Sequence, residues 1–380
     1  MITKSVNTIL DVDAGPAFCP PKWLRNGHLQ TVYAAYLFNG LKPYSATEHR
    51  VELEDGDSLI LHDDCPDNWQ PGERVVLLVH GLTGCHASSH VARVSQKMNS
   101  FGIRTIRMDQ RGSGAGAFTA KRHTYAGASH DLQAVVDFIV KAIKGSPLII
   151  VGFSMGGNIL LKYLSEDPDA LPPELDSAIS VSPPIDLQHC AWKLTQGLNR
   201  VYDYRFLRRV YRSLRQRRQQ VSELIDYRLD PAPDRLIQFD DQFVAPAAGY
   251  RSAREYYQKS SAAPMLHQTR VPTLLIAAKD DPLIPFEIYT KYEMSDAIRL
   301  FVTESGGHLG YINQQSNDPD RRWLDWRLCE WIAALPNRLN TNVCNGSLRH
   351  AVADIQRSTN GRTNSELNGN GFATSKQPVK

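Results

Sequence analysis

Residues 148–158 read LIIVGFSMGGN, and the fold turns on how this stretch is parsed. Leu148, Ile149, Ile150 and Val151 make an apolar, mostly β-branched run of the kind that fills a strand buried on both faces of a parallel sheet. Ile159, Leu160, Tyr163 and Leu164 come next at helical spacing. A strand that passes straight into a helix leaves no room for side chains beside the turn. Gly152 and Gly156 are therefore read as positions where a side chain would strike the facing backbone. In this setting G-x-S-x-G is the nucleophile elbow, which holds the hydroxyl of Ser154 up at the carboxyl end of its strand. The pattern alone is weak, because at average Gly and Ser usage it arises by chance in about one chain in ten of this length. The flanking strand and helix give it weight.

A serine hydroxyl becomes a nucleophile only when an imidazole takes its proton, and the imidazole needs a carboxylate to fix its tautomer. On this fold the chain order is serine, acid, histidine. His308 lies in TESGGHLGY, after a late strand and on a loop whose Gly306 and Gly307 let it fold back to the elbow. The acid is expected at the end of the preceding strand, in AAKDDPLIP, which offers Asp280 and Asp281. Asp281 is preferred because Pro282 and Pro285 hold the turn after it. The other carboxylate then caps the loop or faces solvent. The oxyanion needs two backbone N–H donors. Met155, next after the nucleophile, offers one, and Leu82 in VHGLTG (79–84) offers the other, with Gly81 letting the backbone approach. His80 reads as a loop-shaping residue rather than a second base.

Outward from the elbow, EHRVELEDGDSLIL (48–61) reads as a hairpin around Asp55-Gly56-Asp57. Strands at 74–80, 103–109 and 177–184 alternate with helices at 90–100 and 129–143. This βα rhythm predicts an α/β fold with a mostly parallel central sheet and helices on both faces. It breaks after Pro184, where residues 185–265 read as an inserted helical cap over the site. It resumes with strands at 273–278 and 298–304 and a Trp-rich helix at 321–335. The organisation expected is an N-terminal extension (1–16), one catalytic domain (17–336) and a polar tail (337–380). The tail has too little apolar surface to offset its ordering entropy.

The totals exclude several classes. A net charge of +3 is too small to imply a nucleic-acid partner by itself. The first twenty residues carry no apolar run suited to a signal peptide, and no stretch reaches the roughly 18 apolar residues of a membrane span. The six cysteines never form C-x-x-C, which favours reduced thiols and a cytoplasmic setting over disulfides or a zinc site. No cofactor is expected.

With these pieces assembled, the chain resembles the YheT-like branch of the α/β-hydrolase superfamily. The resemblance rests on PPKWLRNGHLQT (20–31), VHGLTG (79–84), MDQRGSGAG (108–116), GFSMGGN (152–158), FDDQFVAPAAGY (239–250), AAKDDPLIP (277–285) and SGGHLGY (305–311). These stretches span residues 17–336, and the first and last are specific to the branch. The resemblance implies an α/β-hydrolase fold, a relay of Ser154, Asp281 and His308, and activity in the range from carboxylesterase to acylglycerol lipase. Some relatives pass the acyl group to an alcohol instead. Two alternatives to an ester hydrolase therefore stand: an acyltransferase with the same triad, and a binding protein on a hydrolase scaffold.

Other motifs are read more plainly. Gly112–Ala117 satisfies the dinucleotide pattern G-x-G-x-x-G/A, but the next residues, FTAKRHTYAG, do not open a helix, so the glycines are expected to shape a loop. His86 and His90 lack the Glu of a zinc protease; they read as solvent-facing histidines at a helix start, and His62–Cys65 reads as a polar turn. PPKWLRNGHLQT reads as an irregular arm packed on the body, with bordering of the substrate entrance as its functional alternative. In RFLRRVYRSLRQRRQQ (205–220), Leu207, Val210, Tyr211 and Leu214 fall on one helical face and arginines on the other. This is expected to be a cap helix with a solvated basic face. Peripheral contact with an anionic membrane through 205–218 is the alternative, and no nucleic acid is expected because aromatic stacking groups are absent. The partner expected is a small ester or lipid.

Overall fold

The computed structural model describes residues 16–37, 46–221, 229 and 231–335. The strands are β1 (Thr47–Glu52), β2 (Ser58–Asp64), β3 (Val75–Val79), β4 (Arg104–Asp109), β5 (Leu148–Phe153), β6 (Leu175–Val181), β7 (Thr273–Ala278) and β8 (Ile298–Thr303). They form one sheet in the order β1-β2-β4-β3-β5-β6-β7-β8. Every pairing from β4 to β8 is parallel, and the β1–β2 hairpin joins the edge antiparallel. Strand order reverses about β3, so β3 and β5 lie side by side and their carboxyl ends open a crevice, the usual ligand position on such a sheet.

The helices are α1 (Gly27–Tyr36), α2 (Ser89–Ser100), α3 (Ser129–Ala142), α4 (Met155–Glu166), α5 (Leu187–Leu194), α6 (Arg200–Arg217), α7 (Leu236–Phe239), α8 (Ala245–Ala247), α9 (Ala253–Ser260), α10 (Ile288–Lys291) and α11 (Trp323–Ala333). Alternate residues of β3 face opposite layers. Leu77 and Val79 pack with Leu132, Val135 and Ile159 of α3 and α4. Val76 and Leu78 pack with Val91 and Val94 of α2 and Trp323 and Leu328 of α11. Burial on both faces is why these strands read as continuous apolar runs rather than alternating ones.

Between β6 and β7 the chain leaves the sheet and builds α5 to α9 over the carboxyl ends of the strands. Residues 239–250 are not a simple loop: α7 continues through a π-helical turn, Asp240–Val244, into α8. The inner face of α6 buries Leu207, Val210 and Leu214 in the main core, as the spacing predicts. Arg217 departs from the expected basic outer face. It is buried, and its guanidinium donates to the carbonyls of Ala117, Ala120 and Arg122, tying α6 to the loop after β4.

Three expectations need correcting. PPKWLRNGHLQT is not wholly irregular: Asn26 caps α1, its side chain accepting from the N–H groups of His28 and Leu29, and a ten-residue helix begins there. His62–Asp64 is not a turn but the end of β2, buried because its charges are paired: Asp63 with Arg104, Asp64 with Arg107. Nor do His86 and His90 face solvent. His86 stacks on His62 and bonds to Asp109, while the half-buried His90 has its Nε2 enclosed by protein. Polar pattern alone misreads a strand whose charges are satisfied internally. The expectations for residues before 16 and for the tail beyond Leu335 lie outside the described residues.

Candidate active site

Ser154 stands between β5 and α4 with φ 52° and ψ −121°, a conformation that costs a non-glycine residue about 1–3 kcal/mol. Surrounding structure holds it there. Its N–H donates to the Val181 carbonyl at 2.8 Å, and its own carbonyl accepts from Gly157 N–H at 2.8 Å. A Cβ at Gly152 would lie 2.6 Å from the Gly156 carbonyl oxygen, and one at Gly156 would lie 2.4 Å from that of His80. The elbow closes only with glycine at both positions. Asn158, one turn into α4, donates to the carbonyls of Ala126 and Ser260 and accepts from Ala262 N–H, fastening the elbow helix to the base of the cap.

His308 reaches this serine from the loop after β8. Its Nε2 lies 3.0 Å from Ser154 Oγ, and its Nδ1 lies 2.8 Å from Asp281 Oδ2. Asp281 is nearly sealed from solvent, and its Oδ1 accepts from the N–H groups of Leu283 and Ile284 at 2.8 and 3.0 Å. These backbone donors fix the carboxylate in place. With Nδ1–H donated to the carboxylate, Nε2 is left as the acceptor for the serine proton. Asp280 does something else: its Oδ1 accepts from Gly307 N–H at 2.8 Å, capping the loop that carries the histidine. Burial, with the neighbouring Asp281 charge adding to it, raises its pKa above the usual carboxylate value.

Beside the serine, Gly81–Gly84 form a turn closed by Gly84 N–H to the Gly81 carbonyl at 3.0 Å, with Thr83 at φ 59°. The turn does not use the N–H of Leu82. Met155 opens α4, so its N–H is one of the donors for which a helix start has no internal partner. A Cβ on Gly81 would sit 3.0 Å from Ser154 Cβ, so this backbone approaches the serine as closely as glycine allows. His80 is buried, its Nδ1 2.8 Å from the Gly81 carbonyl and its Nε2 accepting from Gln110 N–H. Burial lowers its pKa, and it shapes the loop.

The contribution of α1 leaves no trace in the local pattern. Thr31 Oγ1 donates to the Gly27 carbonyl and accepts from His308 N–H at 2.8 Å. Gln30 donates to the carbonyls of Leu24 and Ile312 and accepts from Ile312 N–H. The helix thus grips the histidine loop on both sides of His308. Helix caps and amide bridges of this kind have no periodic signature.

Two chambers meet at Ser154 and His308. The wider, of about 390 Å³, opens between α1 and α6 and is lined by Val32, Tyr36, Tyr202, Arg205 and Arg209 among others. The smaller, of about 120 Å³, runs beneath the cap and is mostly apolar, with Leu187, Phe206, Val210, Phe239, Tyr256 and Ile284 in its walls. Asp240 borders that chamber. Its Oδ2 accepts from Tyr257 Oη at 2.6 Å, and burial pushes its pKa up to about 7.

Among the described residues, one trio has donor atoms close enough to share a metal ion: His62, His86 and Asp109. The trio is closed on itself, with both imidazoles and two backbone N–H groups already on the Asp109 carboxylate. The two rings are also stacked 3.5 Å apart, so no ion can lie in both ring planes. Gly112–Ala117 forms a loop with one short 3₁₀ turn, as the absence of a helix after it implied.

A serine, histidine and carboxylate in line at the carboxyl end of a parallel sheet, under a helical cap, define an α/β hydrolase. Residues 74–315 match the alpha/beta hydrolase fold family, and the chain belongs to it. YheT of Escherichia coli (strain K12) is 30% identical over 319 residues, covering 83% of this chain and 92% of that protein. A monoacylglycerol lipase of Danio rerio, ABHD2, is 27% identical over 340 residues, covering 84% and 78%. Within the family the chain is a member of the YheT-like branch. Among solved structures, 2,6-dihydroxy-pseudo-oxynicotine hydrolase aligns over 83% of this chain and 74% of its own with a TM-score of 0.52. At 17% identity that likeness is one of fold.

Proposed function

We propose that this protein is a carboxylic ester hydrolase that works through an acyl-enzyme on Ser154. One observation carries the reading: a strained elbow serine 3.0 Å from an imidazole whose far nitrogen is 2.8 Å from a buried, doubly anchored carboxylate. A protein that only binds has no need to hold a serine at this backbone cost. Ser154 Oγ attacks the acyl carbonyl as its proton passes to His308 Nε2, and Asp281 stabilises the imidazolium that results. The N–H groups of Leu82 and Met155 receive the tetrahedral oxyanion. Collapse expels the alcohol with the proton from His308, leaving the acyl group on Ser154. Water, activated by the same imidazole, then releases the acid and restores the serine.

The two chambers divide the substrate. The apolar chamber beneath the cap receives the acyl chain, and the wider one receives the alcohol, with its arginines and hydroxyl side chains facing a polar headgroup. Short- to medium-chain esters and acylglycerols fit this division, and the name of the Danio rerio relative supports the second class. We place the protein in the cytoplasm. Cys19, Cys65, Cys85, Cys190 and Cys329 are free thiols, which suits a reducing compartment. No helix among the described residues is long and apolar enough to cross a membrane.

A fluorophosphonate probe tests the nucleophile. It is expected to label the wild type covalently and to leave the Ser154→Ala variant unlabelled. A folded wild type that takes no label would refute the proposal.

A further inference from the structure

The outer sides of α1 and α6 carry an unusual surface. On α1, Leu29, Val32 and Tyr36 fall at i, i+3 and i+7, all exposed, on the side opposite the residues that hold the histidine loop. On the other side of the chamber, Leu198 in the turn before α6 is 72% exposed, Val201 is 57% and Tyr204 is 53%. Isolated exposed apolar residues need no explanation, but here they gather along both lips of one opening. The helices meet across it. His28 Nδ1 lies 3.1 Å from Tyr202 Oη, and the Arg205 guanidinium donates to Tyr36 Oη.

Along α6 the apolar lip gives way to charge. Arg205 and Arg209 are exposed at the rim of the chamber and Arg208, Arg212 and Arg215 are exposed beyond it, while Asp203, the one acid in the helix, is buried facing inward. Among the described residues none of these five arginines makes an ion pair. Instead, Arg205 lies 5.5 Å from the ring centroid of Tyr36 and Arg208 5.6 Å from that of Tyr204. Cations laid against aromatic rings beside exposed aliphatic residues match the depth profile of a bilayer interface: guanidinium at the phosphates, aromatic rings at the headgroup boundary, aliphatic tips among the first methylenes.

We propose that this face docks on an anionic phospholipid bilayer, bringing the wider chamber down onto the membrane so that lipid enters between α1 and α6. Charge complementarity selects the occupant, because a zwitterionic bilayer offers the arginine row no net negative surface charge. The position of the lips selects the orientation, because seating them on the membrane faces the chamber toward the lipid. The delivery of substrate rests on the ester-hydrolase reading, whereas the docking does not.

The test uses the full chain with Ser154→Ala, so that bound lipid is not consumed. It is sedimented with phosphatidylcholine vesicles with and without about a third of the lipid as phosphatidylglycerol. Binding is expected only to the anionic vesicles, and to weaken strongly between about 0.1 and 0.5 M salt. A basic residue near such a surface contributes about a fivefold factor in binding. Arg208→Gln, Arg212→Gln and Arg215→Gln together are therefore expected to weaken it on the order of a hundredfold. Leu198→Ser with Val201→Ser is expected to cost about tenfold more. None of these residues lines the chambers, so the same substitutions on an active Ser154 background should leave hydrolysis of a water-soluble ester unchanged while lowering turnover of a vesicle-borne one. Equal binding to neutral vesicles, or full binding by the triple Gln variant, overturns the proposal. So does a dimer in light scattering that the same substitutions dissociate, or a preference for RNA over anionic vesicles. Vesicle binding without soluble-ester hydrolysis by the wild type would sink the esterase reading and leave the docking surface standing.

Discussion

Asp240 offers a quantitative check on the cap. Its carboxyl lies in the cap beside the apolar chamber, and it bonds to Tyr257 Oη. Burial raises its pKa from 3.8 to about 7; the Tyr257 hydroxyl opposes the shift, and the charge of Asp203 adds to it. Because the folded value lies above the unfolded one, its contribution to stability is whole below about pH 4 and is lost as the pH rises through about 7. The full difference corresponds to about 4 kcal/mol. The adjoining chamber can admit water, so about 2 kcal/mol is the working expectation. Asp240→Asn keeps the shape and an acceptor for Tyr257 but carries no charge. Melting curves of wild type and variant at pH 4.5 and pH 8 should differ in their difference: near parity in acid, and the variant ahead by about 2 kcal/mol, a few degrees in Tm, in base. The double difference cancels every other titrating group. A gap between the two proteins that does not change with pH would show that Asp240 is ionised in the folded protein and would refute the reasoning.

Three further outcomes are expected from the site and its frame. Asp281→Asn should lower kcat by about 10⁴ through the wrong imidazole tautomer, whereas Asp280→Asn, which only caps the loop, should cost less than about tenfold; steady-state kinetics on a soluble ester decides between them. Thr31→Val removes the acceptor for His308 N–H and should lower kcat about tenfold with KM little changed, since the near-isosteric valine keeps Thr31's place in the wall of the wider chamber; a KM effect alone would be the wrong result. Arg111 donates to the buried Asp57 and Asp131 and to the exposed Asp55, and Arg111→Met should destabilise the fold by about 3–5 kcal/mol in chemical denaturation, because it strands two buried carboxylates.

A feature can be read from the chain when it leaves a local trace. The elbow was legible because steric exclusion forces glycine at 152 and 156, and the parallel strands because burial on both faces forces apolar runs. The acid was separable from its neighbour because Pro282 and Pro285 mark the rigid turn, and the structure gives Asp281 to the histidine and Asp280 to the loop. Features built from long-range polar pairing were invisible. His62, Asp63 and Asp64 looked like a turn because their partners, Asp109, Arg104 and Arg107, lie some forty residues away in sequence. Asp55 and Asp57 looked like turn chemistry alone, although they also anchor Arg111. The role of α1 had no internal signature at all, because its meaning lies in residues near 310.

That last connection bears on when the protein matures during synthesis. Thr31 meets His308, Gln30 meets Ile312, Cys19 meets Asn313 and the Ala34 carbonyl meets Arg322, at sequence separations of 277 to 294 residues. Contacts of such high order close late, because the intervening loop entropy must be overcome before they are rewarded. The early segment must therefore wait, without the partners that tie it to the histidine loop, until the ribosome has delivered the loop after β8 and the start of α11. A partly made chain can build the elbow and expose its serine, but it cannot hold the histidine in line. The ordering of chain ends thus acts as a timer: the serine is armed last, once the two ends of the catalytic domain have closed on each other.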